Sequence, residues 1–214
     1  MTRLRPVVIF DLDGTLVDSR EDIAEAGNAA RLAVGLPALP IAEVVACVGD
    51  GLHRLIERLT PQGDATLRAA AISAFQQAYA HGCTVHTRPY VGVPEALEAL
   101  IQHGWTLAVA TNKPLGFSQR ILDHRGLAPR FATVRGGDTV KKPDPGQLRS
   151  IATELGADVA TMWMVGDHHT DLLAAQAMGC RALFCTWGFG HRDGHPVAAV
   201  ADHAHAWPRL IGHP

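Results

Sequence analysis

The sequence predicts an α/β fold: a parallel sheet flanked by helices, with a small helical domain inserted into it. Beyond residue 89, short apolar runs alternate with segments of helical periodicity, which is typical of parallel strands joined by right-handed crossovers. Between residues 17 and 85 only helical patterns occur, so this stretch interrupts the alternation. In addition, three of the apolar runs end in polar residues, as expected at the carboxyl edge of a parallel sheet.

The first predicted strand runs from Val7 to Phe10, and its continuous β-branched and aromatic residues indicate burial on both faces. The polar turn Asp-Leu-Asp-Gly-Thr ends it. Ser19 then precedes Asp22 by three positions, which predicts a capping box at the start of a helix. Apolar residues at helical spacing continue this helix to Val34.

Two apolar stripes predict two further helices, from Leu52 to Leu59 and from Leu67 to Ala78. We find no convincing strand anywhere from residue 17 to residue 85. We therefore expect a helical domain over residues 17–85, inserted into a core domain that is made of residues 1–16 and 86–214.

The elements of the second part of the core follow from the same patterns. In order, they are a helix over 94–103, a strand over 105–110, a helix to about 125, a short strand over 131–134, a helix over 145–155, a strand over 161–165, a helix over 172–178 and a last core strand over 181–185. The first of these helices ends at Gly104, a residue favoured after helix ends. The tail after Trp187 is rich in His, Gly and Ala, and no element is predicted there.

Composition excludes several classes of function. A hydrophobic fraction of 47% supplies a core without disulfides or a structural metal, and the four cysteines are typical of reduced thiols. A formal charge of −2, with scattered Lys and Arg, argues against a nucleic-acid partner. The apolar N-terminal run is too short for a signal peptide, and no run could span a bilayer. We expect a cytoplasmic protein without a membrane partner, either a monomer or a homodimer.

Polar residues that are far apart in the sequence are predicted to meet at one edge of the sheet. Asp11 and Asp13 follow the first strand, Thr111 follows the second, and Asp167 and Asp171 follow a later one. Ligands of open parallel sheets bind outside the carboxyl ends of the strands. Carboxylates gathered there repel one another, and a hard divalent cation with oxygen ligands, Mg²⁺, resolves that repulsion.

A site of this kind attracts phosphate. The Thr111 hydroxyl can donate a hydrogen bond to one phosphoryl oxygen, and Lys142 can neutralise another. Backbone N–H groups in the turn from Asp11 to Gly14 form a further anion-binding nest. The residues therefore indicate phosphoryl transfer.

Four motifs resemble those of the haloacid dehalogenase-like superfamily. Residues 10–19 (FDLDGTLVDS) resemble the first motif, 111–114 (TNKP) the second, 142–145 (KPDP) the third and 165–171 (VGDHHTD) the fourth. They occur in the family's order, and the family has a Rossmann-like core with an inserted helical cap. Residues 48–52, 90–93 and 136–139 are similar to segments of the phosphoglycolate phosphatases within that superfamily.

This resemblance implies a role for each matching residue. Asp11 would be the nucleophile that forms an aspartyl-phosphate, and Asp13 would be the general acid and base. The Asp11 carboxylate, the Asp13 carbonyl and Asp167 would hold Mg²⁺, with Asp171 as a ligand through water or as a cap of the following helix. Thr111 and Lys142 would contact the phosphoryl group, and Asn112, Lys113 and Gly14 would complete the substrate site.

The cap would supply specificity. Gly49 and Gly51 would let a cap loop approach the substrate closely. Lys113 and Arg54 are candidates for binding a substrate carboxylate, with Lys113 favoured because it adjoins Thr111. The leading substrate that the resemblance implies is 2-phosphoglycolate, with another sugar phosphate or a nucleotide monophosphate as the alternative.

Two departures from the family pattern leave questions open. His168 stands where the family usually has a small polar residue. The connection from Asp138 to Lys142 is short, so that either Lys141 or Lys142 could reach the phosphate, and Lys142 is favoured because it directly precedes Pro143. Histidines in the fourth motif and the tail match no zinc pattern and indicate surface loops; they are His168, His169, His191, His195, His203, His205 and His213.

Two other functions fit the same residues. A phosphomutase similar to the β-phosphoglucomutases would return the phosphoryl group to a sugar hydroxyl instead of to water. A non-catalytic binding protein on the same scaffold would have no reason to keep Asp11, Asp13, Thr111, Lys142 and Asp167 together. The run Thr111-Asn112-Lys113, with its contacts suited to an acidic substrate, favours a phosphatase over the mutase, and the complete set of site residues favours it over the binding protein.

Overall fold

The computed structural model describes residues 4–214, in two compact units: residues 19–88, and the described residues on either side of them. The sequence placed the domain boundaries after residues 16 and 85, whereas contacts divide the chain after Asp18 and Arg88. Residues 1–3 of the predicted core domain lie outside the described residues. Among the helices of the described residues, none combines the length and the hydropathy that a membrane span requires.

Short strands and helices follow one another along the described residues. Before and within the inserted unit they are β1 (Val7–Phe10), β2 (Val17–Asp18), α1 (Arg20–Ala33), α2 (Ile41–Val45), α3 (Leu52–Leu59) and α4 (Ala65–Gly82). After it come β3 (Arg88–Pro89), α5 (Val93–Gln102), β4 (Thr106–Ala110), α6 (Leu115–His124), β5 (Thr133–Arg135), α7 (Gly146–Leu155), β6 (Trp163–Gly166), α8 (His169–Met178), β7 (Arg181–Cys185), β8 (Ala199–Ala201) and α9 (Trp207–Ile211). Short 3-10 turns lie at Ala128–Arg130 and Ala204–Ala206.

The core unit contains one parallel sheet of six strands, in the order β5-β4-β1-β6-β7-β8. Strand β1 lies inside the sheet, paired in parallel with β4 and with β6. All four of its side chains are fully buried, because helices cover both faces of such a sheet. The predicted α/β fold is confirmed, and so is the prediction that the carboxyl ends of these strands lie at one edge.

The two sides of β1 pack into different parts of the core. Val7 and Ile9 join an apolar cluster with Leu148 and Ile151 of α7. On the other side, the Phe10 ring lies 5.0 Å from the ring of Trp207 at the start of α9, centroid to centroid. The tail therefore contributes a large buried side chain to the core, which the sequence pattern did not indicate.

The inserted unit is helical, as predicted. Helices α1, α3 and α4 bury part of each predicted apolar stripe, and α2 was not predicted. The predicted capping box at α1 is wrong. Ser19 is the N-cap residue but makes no side-chain capping bond. The Asp22 carboxylate accepts bonds from the backbone N–H groups of His86 and Thr87 and from the Thr87 hydroxyl.

Two predictions about strands are wrong. Strand β7 is not the last core strand, because β8 pairs with it in parallel and forms the edge of the sheet. The three residues of β8 are too few to give a periodic signal. The stretch from residue 17 to 85 also contains a strand, β2, although it is only two residues long.

Candidate active site

The turn after β1 brings Asp11 and Asp13 to the carboxyl edge of the sheet. Asp11 donates its backbone N–H to the carbonyl of Val165 on β6, which fixes the start of the turn. Gly14 has a φ of +83°, and a Cβ atom there would lie 2.2 Å from Oδ2 of Asp167. Glycine is therefore required at this position both by the backbone conformation and by the close approach of a carboxylate.

Three of the four aspartates that the sequence predicted to meet converge at this edge, while Asp13 pairs with Lys113. Asp11, Asp167 and Asp171 each offer an oxygen atom, and these atoms lie within 4.8 Å of one another. Burial raises the pKa of Asp11 to about 6, a rise that Lys142 opposes and Asp171 reinforces. Burial also raises the pKa of Asp167 to about 8, and the charges of Asp11 and Asp171 add to that rise.

Lys142 is the cation of this cluster. Its Nζ lies 3.0 Å from Oδ1 of Asp11 and 2.6 Å from Oδ1 of Asp171, and its side chain is 1% exposed. Burial favours the neutral amine, but the two carboxylates outweigh it and raise the pKa of Lys142. Lys141 is only half-buried. The geometry therefore favours Lys142 over Lys141 as the phosphate contact.

Asn112 fixes the backbone that carries Lys142. Its Nδ2 donates to the carbonyl of Lys142 at 2.9 Å, and its Oδ1 accepts from the N–H of Lys142 at 2.7 Å. Both ends of the amide are thus engaged with the same residue. The substrate-binding role predicted for Asn112 stays a prediction, while its contacts position the lysine.

The side chain of Asp167 is held at both of its oxygens. Oδ1 accepts from the hydroxyl of Thr15 at 2.8 Å, and Oδ2 accepts from the N–H groups of Phe189 and Gly190 at 3.1 and 3.0 Å. The indole of Trp187 donates to the carbonyl of Thr15 at 3.3 Å. The segment Trp187–Gly190 therefore wraps around this carboxylate and leaves little freedom to its orientation.

Lys113 and Asp13 form a second ion pair beside the cluster. Nζ of Lys113 lies 2.8 and 3.0 Å from the two carboxylate oxygens of Asp13, and both side chains are largely buried. Thr111 is buried next to them, and its Oγ1 accepts from the N–H of Lys113 at 3.3 Å. The residues that the sequence assigned to nucleophile, acid and phosphate contacts thus lie in one region of the core unit.

Asp171 has two hydrogen-bond partners, one of which confirms that it caps the following helix, while its role as a metal ligand stays a prediction. Its Oδ1 accepts from Lys142, and its Oδ2 accepts from the N–H of His168 at 3.0 Å in a capping box at the start of α8. His168 completes this box, because its ring accepts from the N–H of Thr170. The unusual histidine therefore has a structural role as a helix N-cap.

The donor atoms fit a hard divalent cation. Asp11, Asp167 and Asp171 present oxygen only, and Lys142 supplies one positive charge against three carboxyl groups. The raised pKa values of Asp11 and Asp167 show that the folded protein without a metal disfavours their charged forms. Oxygen ligands and an excess of negative charge are the conditions that suit Mg²⁺.

Sequence reasoning missed the residues that support the site from outside the motifs. Thr15 and the segment Trp187–Gly190 contact Asp167, and Gln147 contacts the loop that carries Thr111. The glycines at 188 and 190 were the available signal, since a Cβ at either position would lie within 2.6 Å of Asp167. Within the inserted unit, the predicted substrate contact Arg54 is exposed and pairs with Glu57 at 2.6 Å.

The tail histidines lie mostly at the surface, as predicted. His191, His203, His205 and His213 are exposed, and His195 is half-buried. The half-buried His169 pairs with the exposed Asp193 at 3.2 Å.

Known proteins of one family resemble this chain in sequence. The family model described as haloacid dehalogenase-like hydrolase matches residues 8–185. A phosphoglycolate phosphatase of Neisseria meningitidis is 40% identical over 190 residues, which cover 86% of this chain and 81% of that protein. A phosphoglycolate phosphatase of Vibrio cholerae is 39% identical over 201 residues, with 90% and 88% covered.

A solved structure agrees with these sequence relatives. The crystal structure of a protein from Haemophilus somnus, given as a predicted phosphoglycolate phosphatase, has a TM-score of 0.90 and 28% identity, and the match covers 99% of this chain and 100% of that one. The family match spans most of the chain and contains all four motifs that line the site. The chain belongs to the haloacid dehalogenase-like hydrolase family.

Proposed function

We propose that this hydrolase is a Mg²⁺-dependent phosphatase of a small phosphorylated metabolite, with 2-phosphoglycolate as the leading substrate. The observation that carries the proposal is the meeting of Asp11, Asp167 and Asp171 at the carboxyl edge of the sheet, where Lys142 contacts the first and the last of them. The two bacterial relatives are both named phosphoglycolate phosphatases, which supports the proposed substrate.

In the first step, a carboxylate oxygen of Asp11 attacks the phosphorus and forms an aspartyl-phosphate. The bond between phosphorus and the ester oxygen breaks, and Asp13 gives its proton to the leaving alkoxide. Lys142 and Thr111 stabilise the negative charge on the phosphoryl oxygens. A magnesium ion held by Asp11, the Asp13 carbonyl and Asp167 would supply further positive charge for the phosphoryl group.

In the second step, Asp13 now carries a negative charge and accepts a proton from a water molecule. That water attacks the phosphorus of the aspartyl-phosphate, the acyl phosphate bond breaks, and the Asp11 carboxylate is restored. Inorganic phosphate leaves, and Asp13 is again protonated for the next cycle. The same carboxyl group thus serves both steps, which is consistent with its place two residues after the nucleophile.

Lys113 is the proposed contact for the substrate carboxylate. Its ammonium group lies within 3.0 Å of both Asp13 oxygens and therefore next to the proposed reaction site. A substrate carboxylate bound there would share this ammonium group with Asp13. Hydrogen bonds to charged groups contribute about 1.5–3 kcal/mol each. An ester with a carboxylate next to its phosphate would therefore bind more tightly than an uncharged alkyl phosphate.

The inserted helical unit is proposed to act as a cap that excludes water and contacts the non-phosphate part of the substrate. Its glycines at 49 and 51 have φ values of +129° and +86°, conformations that favour glycine. A cytoplasmic location and a monomeric or homodimeric state stay predictions from the sequence.

The experiment is phosphate release from a panel of phosphorylated metabolites with Mg²⁺, comparing wild type with Asp11→Asn. We expect release from 2-phosphoglycolate that falls by at least about 10³-fold in the variant, because the nucleophile is lost. Mutant-sensitive release from a different ester would keep the phosphatase and reject the substrate. A sugar phosphate that is isomerised without phosphate release would identify a phosphomutase instead.

The Lys113 contact is tested on the same panel with Lys113→Met, with Lys141→Met as the matched control. We expect KM for 2-phosphoglycolate to rise about 10-fold or more, and KM for ethyl phosphate to change much less. Equal effects on both esters would reject a carboxylate contact at Lys113 but would leave the phosphatase proposal in place.

A further inference from the structure

Gln147 is a buried polar side chain that the proposed mechanism does not use. It lies in the first turn of α7 and is 3% exposed. Its Nε2 lies within hydrogen-bond distance of three backbone carbonyls: Val140 at 2.7 Å, Thr111 at 3.0 Å and Gly136 at 3.1 Å. The two N–H bonds of one side-chain amide are therefore shared among carbonyls of three separate segments of the chain.

Each of the three carbonyls belongs to a loop at the site edge of the sheet. Thr111 follows β4 and is the proposed phosphate contact. Gly136 follows β5, where a Cβ would lie 2.4 Å from the N atom of Leu115, so this loop packs closely on the one after β4. Val140 lies two residues before Lys142, the cation of the cluster. The amide of Gln147 thus links the loops that carry Thr111 and Lys142.

Two other kinds of contact join these loops, but they do not supply a donor to the carbonyls that Gln147 binds. The N–H of Thr111 donates to the carbonyl of Arg135, and Asn112 binds the backbone of Lys142 from one side. Carbonyls at 111, 136 and 140 face inward to the same point, where they would repel one another without a donor between them. The Nε2 group supplies that donor.

We propose that Gln147 is a positioning residue, which sets Thr111 and Lys142 at the spacing that the transferred phosphoryl group needs. The proposal rests on the proposed function. Gln147 acts through the backbone of its neighbours and does not itself touch the phosphate. Since displacement of a catalytic group by about 1 Å lowers a rate by about 10²-fold, loss of this link should be visible in turnover.

The test uses Gln147→Met, which has a similar length but no donor, and Gln147→Asn, which keeps an amide but shortens its reach. Gln176→Met, at an exposed position of α8, is the matched control. We expect both Gln147 variants to lower kcat by about 10–100-fold and to raise the inhibition constant of inorganic phosphate. The concentration of Mg²⁺ for half-maximal activity should change less than about twofold, because the hydrogen bonds of Gln147 go to the carbonyls of Thr111, Gly136 and Val140 and not to the carboxylates of the cluster.

The comparison of kcat and the phosphate inhibition constant with the Mg²⁺ requirement separates a positioning role from a loss of folded protein. A variant that is only less stable would have unchanged kcat per folded molecule and an unchanged phosphate inhibition constant below its Tm, and that result would overturn the proposal. An equal rise in the Mg²⁺ requirement would also overturn it, since the effect would then reach the whole site. If Gln147→Met does not fold, the same criteria apply to Gln147→Asn, which leaves the buried position polar.

Calorimetric titration with inorganic phosphate makes the test independent of turnover. Wild type should bind phosphate in the presence of Mg²⁺ more tightly than either Gln147 variant. If wild type released no phosphate from any ester but showed this difference in binding, the proposed function would fail and the positioning of the phosphate site by Gln147 would stand.

Discussion

The ion pair between Asp13 and Lys113 orients the carboxylate that is the base of the second proposed step. Lys113 contacts both oxygens of Asp13, so the carboxyl group is oriented before any substrate arrives. Orientation of this kind lowers the entropy that the reaction step must still lose. The neighbouring positions Asp11 and Asp13 therefore differ in partner: one faces Lys142 and the other faces Lys113.

Replacement of Asp13 by Asn should separate the two chemical steps. For an alkyl phosphate we expect turnover to fall by about 10²–10⁴-fold, the usual contribution of a general acid or base. With 4-nitrophenyl phosphate, whose leaving group needs no proton, the first step should remain fast and the second slow. Rapid-mixing measurements should then show a burst of about one nitrophenolate per enzyme molecule. An equal loss with both esters and no burst would contradict the assigned role.

Single side chains also show why part of the site could not be predicted from the sequence. The motifs identified Asp11, Lys142 and Asp167 because each follows a recognisable pattern. The partner of Asn112 could not be found in this way, since its bonds to Lys142 join positions 30 residues apart in the chain. Gln147 was missed for the same reason, because its three acceptors are defined only by the packing of loops.

The strands and helices were predicted well where their patterns are long or wholly apolar. Strands β1 and β7 have the bounds predicted for them, and α7 begins one residue after the predicted Pro145. Helix α8 begins at His169 instead of Leu172, because the polar capping box forms its first turn and carries no apolar signal. Strand β8 was missed because its pairing with β7 depends on the path of the tail.

The start of α1 gives a test of a buried polar contact within the inserted unit. The Asp22 carboxylate accepts three hydrogen bonds, from the N–H groups of His86 and Thr87 and from the Thr87 hydroxyl. Asp22→Ala would leave these donors without that acceptor, at about 1–3 kcal/mol for each one that stays buried. Since about 1 kcal/mol shifts the Tm of a chain of this size by about 2–4 °C, we expect a fall of several degrees by calorimetry. Glu43→Ala, at an exposed position, should change the Tm little, and an equal fall there would contradict the assignment.

The segment Trp187–Gly190 should control how tightly the site binds its metal. A Cβ at Gly190 would lie 2.6 Å from the carbonyl oxygen of Asp167, so Gly190→Ala must displace the backbone that donates to this carboxylate. Changes to groups that orient a metal ligand typically weaken binding by about 10–100-fold. We expect an increase of that size in the Mg²⁺ concentration for half-maximal activity, and in the dissociation constant by calorimetry. Gly116→Ala, where a Cβ would meet open space, is the control, and equal constants in both variants would reject the idea.

The charges gathered at the site oppose folding and favour the binding of a cation. The formal net charge is only −2, yet three carboxyl groups are gathered within 4.8 Å at one edge of the sheet. Their repulsion and burial oppose folding, and Lys142 offsets only part of this. Functional sites commonly hold such unfavourable arrangements, because a ligand that binds there releases the stored repulsion.

Removal of one charge should therefore change the stability of the protein in opposite ways with and without the metal. In EDTA, Asp11→Asn should have a higher Tm than wild type, because the buried carboxylate is replaced by a neutral amide while Lys142 keeps its contact with Asp171. With Mg²⁺ at about 100 times its dissociation constant, wild type should gain about 2.7 kcal/mol, which corresponds to about 5–11 °C. The variant should gain much less, since a ligand of the metal is lost, so that the order of the two Tm values reverses. Calorimetric scans of both proteins in EDTA and in Mg²⁺ test this reversal. If wild type had the higher Tm in EDTA, the carboxylate cluster would not destabilise the metal-free fold.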